Sequence, residues 1–348
     1  MHGFSVYLGQ GKNENYIQTM IDLNYDTIFT SMQIPEENDT TKIQYLTSLL
    51  TFLQHTNVTY IIDINPKLLT ESLYNSLSFP KADIVIRIDA ETSKAVVNDI
   101  IKHGFKCCLN ASTVTYDLLN DLYQSVSNFE QILFCHNYYP RPDTGLDSNS
   151  VTHQNKLILS FNKHAIIYGF IPGTTTRGPL HKGLPTLEEA RYGNPIVNAH
   201  NLLATGINNV IVGDSALNDR EASLLSDYLH KQHLTFNVTL FDEQYKQIFQ
   251  HQHTSRPDNP ATSIRSQEAR SYRNTSIVPL NTIERNIGDI TIDNHLNGRY
   301  EGELQMMKSN LPSHEHVNVA GHIDKDEIAL LHCIKGNYTF SFSINKGR

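Results

Sequence analysis

The side chains with most chemistry to offer stand at the ends of short apolar runs. Two are aspartates: Asp63, near the end of the run Val58 to Ile64 and followed by Asn65-Pro66, and Asp89, just after Ile84 to Ile88. If these runs are neighbouring strands, spaced about 4.8 Å apart, the two carboxylates fall within roughly 5 to 8 Å of each other. Such a pair suits glycoside hydrolysis, with one carboxyl protonating the leaving oxygen and the other acting as nucleophile or water-activating base. The competing role is structural, because an Asp just after a strand often caps the next helix.

A second stretch, Ile132 to Leu146, passes from an apolar run into His136-Asn137-Tyr138-Tyr139-Pro140-Arg141-Pro142 and then Thr144-Gly145. Each proline fixes its own φ and pushes its predecessor toward extended backbone, so Arg141 sits on a stiff loop, as an anion ligand should. Cys135 beside His136 suggests a thiol and a base, but successive strand residues point to opposite sides, which argues against a dyad. Thr186-Leu187-Glu188-Glu189 fits a capping box in which Glu189 folds back, leaving Glu188 as a further catalytic candidate. His251-Gln252-His253 and His314-Glu315-His316 have the spacing of paired imidazoles but lack an obvious third ligand, and no metal is expected.

These residues need a scaffold, and periodicity supplies one. Eight apolar runs alternate with helical segments: Phe4 to Leu8, Tyr25 to Thr30, Val58 to Ile64, Ile84 to Ile88, Lys106 to Leu109, Ile132 to Cys135, Ala165 to Ile171 and Asn209 to Val212. Thr41 to His55 carries Ile43, Leu46, Leu49, Leu50 and Leu53 at helical spacing, and Thr92 to His103 carries Val96, Val97, Ile100 and Ile101. Eight strand-helix repeats close best as a (β/α)8 TIM barrel, and no GxGxxG turn follows the first run to favour a dinucleotide fold. In such a barrel the C-terminal strand ends form the active site. There the chain offers Tyr7, Ser31, Asp63, Arg87, Asp89, Asn110, Ser112, His136, Asn137, Arg141, Arg177 and Asp214.

From Phe236 the pattern changes to period-2 runs: Phe236 to Phe241, Ser276 to Leu280, Asp289 to Ile292, Tyr300 to Met306, His316 to Gly321, Ile328 to Ile334 and Tyr338 to Ile344. They predict a smaller antiparallel all-β domain over 235–348, after a barrel over 1–234. Between the first two runs, His251 to Arg273 is polar and carries Arg256, Arg265, Arg270 and Arg273. Read as a functional loop, it makes Arg265 and Arg270 the leading anion ligands, with Arg256 beside them.

The 348 residues carry a net charge of -8 and no run of five or more basic residues, which argues against nucleic acid or an acidic membrane as partner. There is no basic leader and no apolar stretch near the roughly 18 residues that span a bilayer, so a cytoplasmic location is expected. Four cysteines, two of them adjacent, make a poor disulfide framework.

The motifs Tyr7-Leu8-Gly9, Leu109-Asn110-Ala111-Ser112, His136 to Pro142 with Thr144-Gly145-Leu146, Phe170-Ile171-Pro172-Gly173, Arg177-Gly178-Pro179 and Gly183 to Glu188 resemble those of the bacterial 6-phospho-N-acetylmuramidase family. The likeness continues through Ile264-Arg265-Ser266, Arg285 to Ile290 and Tyr300 to Leu304, and so spans nearly the whole chain. Members are often labelled outer surface proteins, which the missing export signal contradicts. The resemblance implies a TIM barrel followed by a cyclophilin-like β domain. It implies hydrolysis of cytoplasmic 6-phospho-N-acetylmuramic acid linked β-1,4 to N-acetylglucosamine, a product of cell-wall fragments taken up through a phosphotransferase system.

That phosphorylated disaccharide carries a phosphate and a lactyl carboxylate, so two cationic clusters are expected: Arg141 and Arg177 on the barrel, and Arg256, Arg265 and Arg270 on a second domain able to close over the cleft. His136, Asn110 and Asn137 would meet acetamido and hydroxyl groups or tune the acid, with Tyr7 and Asp214 beside them. No cofactor is implied, and the assembly is expected to be a monomer or homodimer. Two other classes stay open: a barrel isomerase, aldolase or lyase using Asp63 with His136, and a carbohydrate-binding protein without catalysis.

Overall fold

The computed structural model describes residues 2–10, 13–33, 39–79, 82–89 and 92–345. The chain divides into two compact units, Met1–Ser223 and Leu224–Arg348.

The first unit is a closed barrel of eight parallel strands. They are β1 (Gly3–Ser5), β2 (Thr27–Ser31), β3 (Thr59–Asp63), β4 (Asp83–Ile88), β5 (Lys106–Asn110), β6 (Leu133–Cys135), β7 (Ile167–Ile171) and β8 (Asn209–Val212), and β1 pairs with both β2 and β8 to close the ring. Helices follow the strands in turn: α1 (Glu14–Asp22), α2 (Asp39–Phe52), α3 (Glu71–Leu77), α4 (Lys94–Lys102), α5 (Tyr116–Ser125), α6 (Ser148–Phe161), α7 (Pro195–Ala204) and α8 (Asp219–Lys231), the last crossing the division between units. The strands are buried on both faces, which is why each reads as an apolar run rather than an alternation. Leu46, Leu49, Leu50 and Leu53 of the second helical segment are buried as the spacing predicts, while Ile43 is exposed.

Helix starts are set by short polar side chains that accept a backbone N–H one turn in. Asn13, Thr70, Ser93, Thr115, Asp147 and Asn194 do so for α1, α3, α4, α5, α6 and α7, and Pro195 adds its fixed φ at the first position of α7. Because Ser93 caps α4, and Asn65 caps the 3-10 turn Pro66–Leu68 that follows β3, the capping role weighed for Asp89 and Asp63 is taken by other residues.

Inside the barrel, Phe29, Ile61, Val85, Cys108, Leu133, Cys135, Tyr168, Phe170 and Ile211 form one packed cluster. Two residues beyond Phe29, Ile61, Val85, Cys108 and Cys135, with side chains on the same face, stand Ser31, Asp63, Arg87, Asn110 and Asn137. The polar mouth is thus the next storey of the apolar core.

The second unit is a curled seven-stranded mixed sheet in the order β10-β15-β9-β14-β12-β13-β11. Its strands are β9 (His233–Leu240), β10 (His253–Thr254), β11 (Ser263–Arg265), β12 (Asp289–Asp293), β13 (Leu304–Met307), β14 (Val317–Ile323) and β15 (Thr339–Ile344), with helix α9 (Lys246–Gln250) after β9. The two edges meet at an isolated bridge between Ser255 and Ser266, where Gln267 N–H donates to Thr254 O and Arg256 N–H to Arg265 O, each at 2.9 Å. The sheet is not wholly antiparallel, because β15 runs parallel to β9. Two expected strands are absent: Ile328 to Cys333 lies in a 3-10 helix (Lys325–Cys333) that Ile334 ends, and Ser276 to Leu280 pairs with no strand.

Candidate active site

The barrel mouth is built around one hydrogen-bonded chain of side chains. Strand register sets Ser31 beside Asp63 and Asp63 beside Arg87. Ser31 Oγ donates to Asp63 Oδ2 at 3.0 Å, and Arg87 Nη1 donates to Asp63 Oδ1 at 2.6 Å. The other arm of the guanidinium, Nη2, reaches Asn137 Oδ1 at 2.5 Å and Cys135 O at 3.4 Å. Asn137 Nδ2 then donates to Asp89 Oδ2 at 3.5 Å, and Asn110 Nδ2 to Asp89 Oδ1 at 2.6 Å. Asp63, Asp89, Asn110 and Asn137, scattered over 75 residues of sequence, therefore share one network. Burial works against the charge on Arg87, but Asp63, with smaller help from Cys135, Cys108 and Asp89, outweighs it and raises the guanidinium pKa above its ordinary value.

His136 stands behind this network rather than in it. It is fully buried, with Nδ1 3.0 Å from Ser112 Oγ and Nε2 2.8 Å from Asn155 Oδ1. Asn155 Nδ2 donates to Thr205 O, so its Oδ1 accepts, Nε2 of His136 carries the proton, and Nδ1 accepts from Ser112. Burial pushes the imidazole pKa down to about 4. With both nitrogens committed inside the wall, His136 does not assemble with Asp63 as a proton-abstracting pair; it fixes Ser112, whose Oγ accepts from Asn137 N–H at 3.1 Å. Cys135 points the other way, into the barrel core, as strand alternation requires.

Glu188 has a different task from the one expected. Its Oε1 accepts from Asp143 N–H at 3.0 Å and Arg191 Nε at 2.6 Å; its Oε2 accepts from Gly145 N–H at 2.7 Å and Arg191 Nη2 at 2.5 Å. The Arg191 hydrogen bonds, then the two backbone donors, lower its pKa to about 2 against the opposing effect of burial. A carboxyl so held is a poor proton donor near neutrality. Arg191 also donates to the carbonyls of Tyr139, Arg141, Lys182 and Gly183, so the pair clasps the loop after β6 to the loop after β7. Gly145 is needed there, since a Cβ would lie 2.6 Å from Glu188 Oε2. No capping box forms: Thr186 Oγ1 instead donates to Asn137 O and accepts from Phe170 N–H, and Glu189 is exposed.

Asp214 is likewise an anchor. It is fully buried, its oxygens accepting from Gly173, Arg177 and Leu184 N–H groups at 2.9 to 3.0 Å, and burial raises its pKa despite them. It ties the loop after β7 to the end of β8. On that loop the Arg177 guanidinium lies over the Tyr7 ring at 4.0 Å, and Tyr7 Oη donates to Gly213 O. Arg141 is exposed, its carbonyl held by Arg191 and by Thr144 Oγ1.

The four arginines between His251 and Arg273 are engaged within the second unit. Arg256 Nε pairs with Asp258 at 3.2 Å, Arg265 Nε with Glu303 at 2.5 Å, Arg273 Nη1 with Glu301 at 3.3 Å, and Arg270 Nη1 donates to Arg299 O at 3.2 Å. His253 is buried between Ser266 Oγ and Ile248 O, and among the described residues no three His, Cys, Asp or Glu side chains are grouped to hold a metal ion.

The sequence alone sets Arg87 among the strand-end residues without a role and assigns none to Arg191. For Arg87 the signal was available: a cation inside Ile-Val-Ile-Arg-Ile, a strand buried on both faces, demands a buried partner. Arg191 gave no comparable signal, because its partners are mostly backbone carbonyls of loops.

Comparison with known proteins agrees with this architecture. A crystal structure of a conserved protein from Enterococcus faecalis, described as of unknown function, superposes with a TM-score of 0.84 at 29% identity, over 99% of this chain and 96% of that one. An uncharacterized B. cereus protein gives a TM-score of 0.77 at 25% identity, over 99% and 100%. No curated protein matches. The N-terminal family model of 6-phospho-N-acetylmuramidase matches residues 2–227 and its C-terminal counterpart residues 234–343. The chain belongs to the 6-phospho-N-acetylmuramidase family.

Proposed function

We propose that this protein is a cytoplasmic glycoside hydrolase that cleaves 6-phospho-N-acetylmuramic acid-β-1,4-N-acetylglucosamine into its two sugars during cell-wall recycling. The observation that carries the reading is the pair Asp63 and Asp89 in one network at the barrel mouth, neither of them capping a helix. One carboxyl delivers a proton to the departing oxygen as the C1–O4 bond breaks, the other faces the positive charge left at C1, and water completes the exchange. Asn110 and Asn137, with amide groups at the same mouth, suit hydroxyl and acetamido recognition. Arg141, exposed on its clasped loop, and Arg177, stacked on Tyr7, are the barrel's candidates for phosphate and lactyl carboxylate. Family membership supports the phosphosugar substrate. Among the described residues no helix is long and apolar enough to cross a membrane.

The test is stoichiometric release of N-acetylglucosamine from the phosphodisaccharide, with Asp63→Asn and Asp89→Asn as controls. Each substitution is nearly isosteric and should lower kcat by at least ~10²-fold if its carboxyl takes part in the chemistry. Tight binding of the phosphodisaccharide with no sugar released over days would make this a binding protein and overturn the proposal.

A further inference from the structure

Arg87 is a cation that glycoside hydrolysis does not by itself call for. It is 3% exposed, so it is shut away from a substrate phosphate, and its guanidinium is spent on the protein: Nη1 on Asp63, Nη2 on Asn137 and the Cys135 carbonyl. Burying a guanidinium is costly, so a residue kept in this place has an internal task. Arginine can only donate hydrogen bonds, so Asn137 must turn its oxygen toward Arg87 and its Nδ2 toward Asp89. Asn110 is turned the same way, because its Oδ1 accepts from Ser112 N–H and leaves Nδ2 for Asp89. The two carboxylates thus see different surroundings: Asp63 meets a full positive charge and the Ser31 hydroxyl, Asp89 two neutral amides. Only Asp63 is paired directly with the buried guanidinium, while Asp89 lies at the far end of the Asn137 amide that the guanidinium orients.

We propose that Arg87 is a positioning residue that divides the work of the mouth, holding Asp63 as the standing anion and, through Asn137, aiming Asp89 as the proton donor. The inference rests on the hydrolase reading above. Asp89 gives its proton to O4 of the departing sugar as the electrons of the C1–O4 bond move to that oxygen. Asp63 faces the positive charge left at C1. The water that adds at C1 returns a proton to Asp89.

The experiment compares Arg87→Met, Arg87→Lys, Asp63→Asn, Asp89→Asn and the double variant Arg87→Met/Asp63→Asn. Two substrates are used: the phosphodisaccharide, and an aryl glycoside of 6-phospho-N-acetylmuramic acid whose leaving group needs little protonation. Asp89→Asn should lose at least ~10²-fold in kcat on the disaccharide and recover most of it on the aryl glycoside. Asp63→Asn and Arg87→Met should lose kcat on both substrates with KM little changed. Arg87→Lys should restore part of the loss, and the double variant should be no slower than Asp63→Asn. The double variant removes both buried charges, so it supplies the readout if Arg87→Met alone fails to fold.

The inference is overturned if Arg87→Met keeps kcat within ~3-fold of the parent, if it recovers on the aryl glycoside as Asp89→Asn does, or if the double variant is slower than Asp63→Asn. If instead both aspartate variants remain near full activity on the disaccharide, the hydrolase assignment of the pair fails as well.

Discussion

Four acidic residues at this mouth, Asp63, Asp89, Glu188 and Asp214, differ in what surrounds them, and the surroundings decide their work. Glu188 is the clearest case, because its partner Arg191 has a guanidinium almost wholly enclosed, with a side chain 1% exposed. The carboxyl is held at about 2 in the folded chain, against an ordinary value of 4.5. A depressed carboxylate pKa contributes stability that is complete above the unfolded value and is lost as pH falls through the folded one. The wild type should therefore lose this contribution between pH 4.5 and about 2. Glu188→Gln cannot lose what it lacks. Urea unfolding should show the variant weaker by about 2 kcal/mol at pH 7, the worth of hydrogen bonds to a charged group, with the gap narrowing as the acid is titrated. A gap that stayed constant down to pH 2.5 would mean that the clasp owes nothing to charge.

Strands and their loops set these residues in place, and β6 shows how. Cys135 faces the core, His136 faces α6 through Asn155, and Asn137 faces the mouth, so three consecutive residues serve three surroundings. The imidazole is fully buried and its pKa is held near 4, so an unfolded chain takes up a proton near pH 6.5 that the folded site refuses. Stability should fall as pH drops from 6.5 to about 4 and level off below, by roughly 3 kcal/mol from this residue alone. His136→Gln should be less stable at pH 7 but lose that slope. Equal slopes for parent and variant in guanidinium unfolding would place the titrating group elsewhere. The eight barrel strands were legible because each is an apolar run bounded by polar residues, and the strand-end rule then gathered Asp63, Asp89, Asn110 and Asn137. The second unit was less legible, for reasons visible in its backbone. Ile277 N–H is satisfied by Glu301 Oε1 and Leu280 N–H by Asn318 Oδ1, so Ser276 to Leu280 needs no partner strand. Ile328 to Ile334 sets Ile328, Leu330 and Ile334 at even spacing but has Ala329, Leu331 and Cys333 between them, so its alternation is too weak to separate a strand from a helix. β10 and β11 are two and three residues long, too short to show alternation. Nor does alternation report strand direction, which is why the parallel pairing of β15 with β9 was unforeseen.

Over the whole chain a net charge of -8 has to coexist with the anionic sugar proposed as substrate, so where the arginines spend their charge matters more than how many there are. Four of them between His251 and Arg273 looked like an anion site in the sequence, and three of the four prove to face a carboxylate of their own unit. Arg265 is the most committed: its Nε lies 2.5 Å from Glu303, whose side chain is 4% exposed, and Asp258 stands 3.9 Å from its Nη1. Removing the cation strands Glu303 in a dry place, and breaking such a pair costs far more than the intact pair contributes. Arg265→Ala should therefore lower the unfolding free energy by about 3 kcal/mol, and adding Glu303→Gln should recover part of the loss, because the second change removes the unpaired charge. Kinetics supply an independent check. A structural Arg265 shifts KM equally for a 6-phosphorylated substrate and its unphosphorylated analogue, whereas a phosphate ligand raises KM for the phosphorylated one alone, by roughly ten- to a hundredfold. With its Nε already given to Glu303, Arg265 is expected to show the equal shift, and a selective rise in KM at unchanged melting temperature would return it to the substrate.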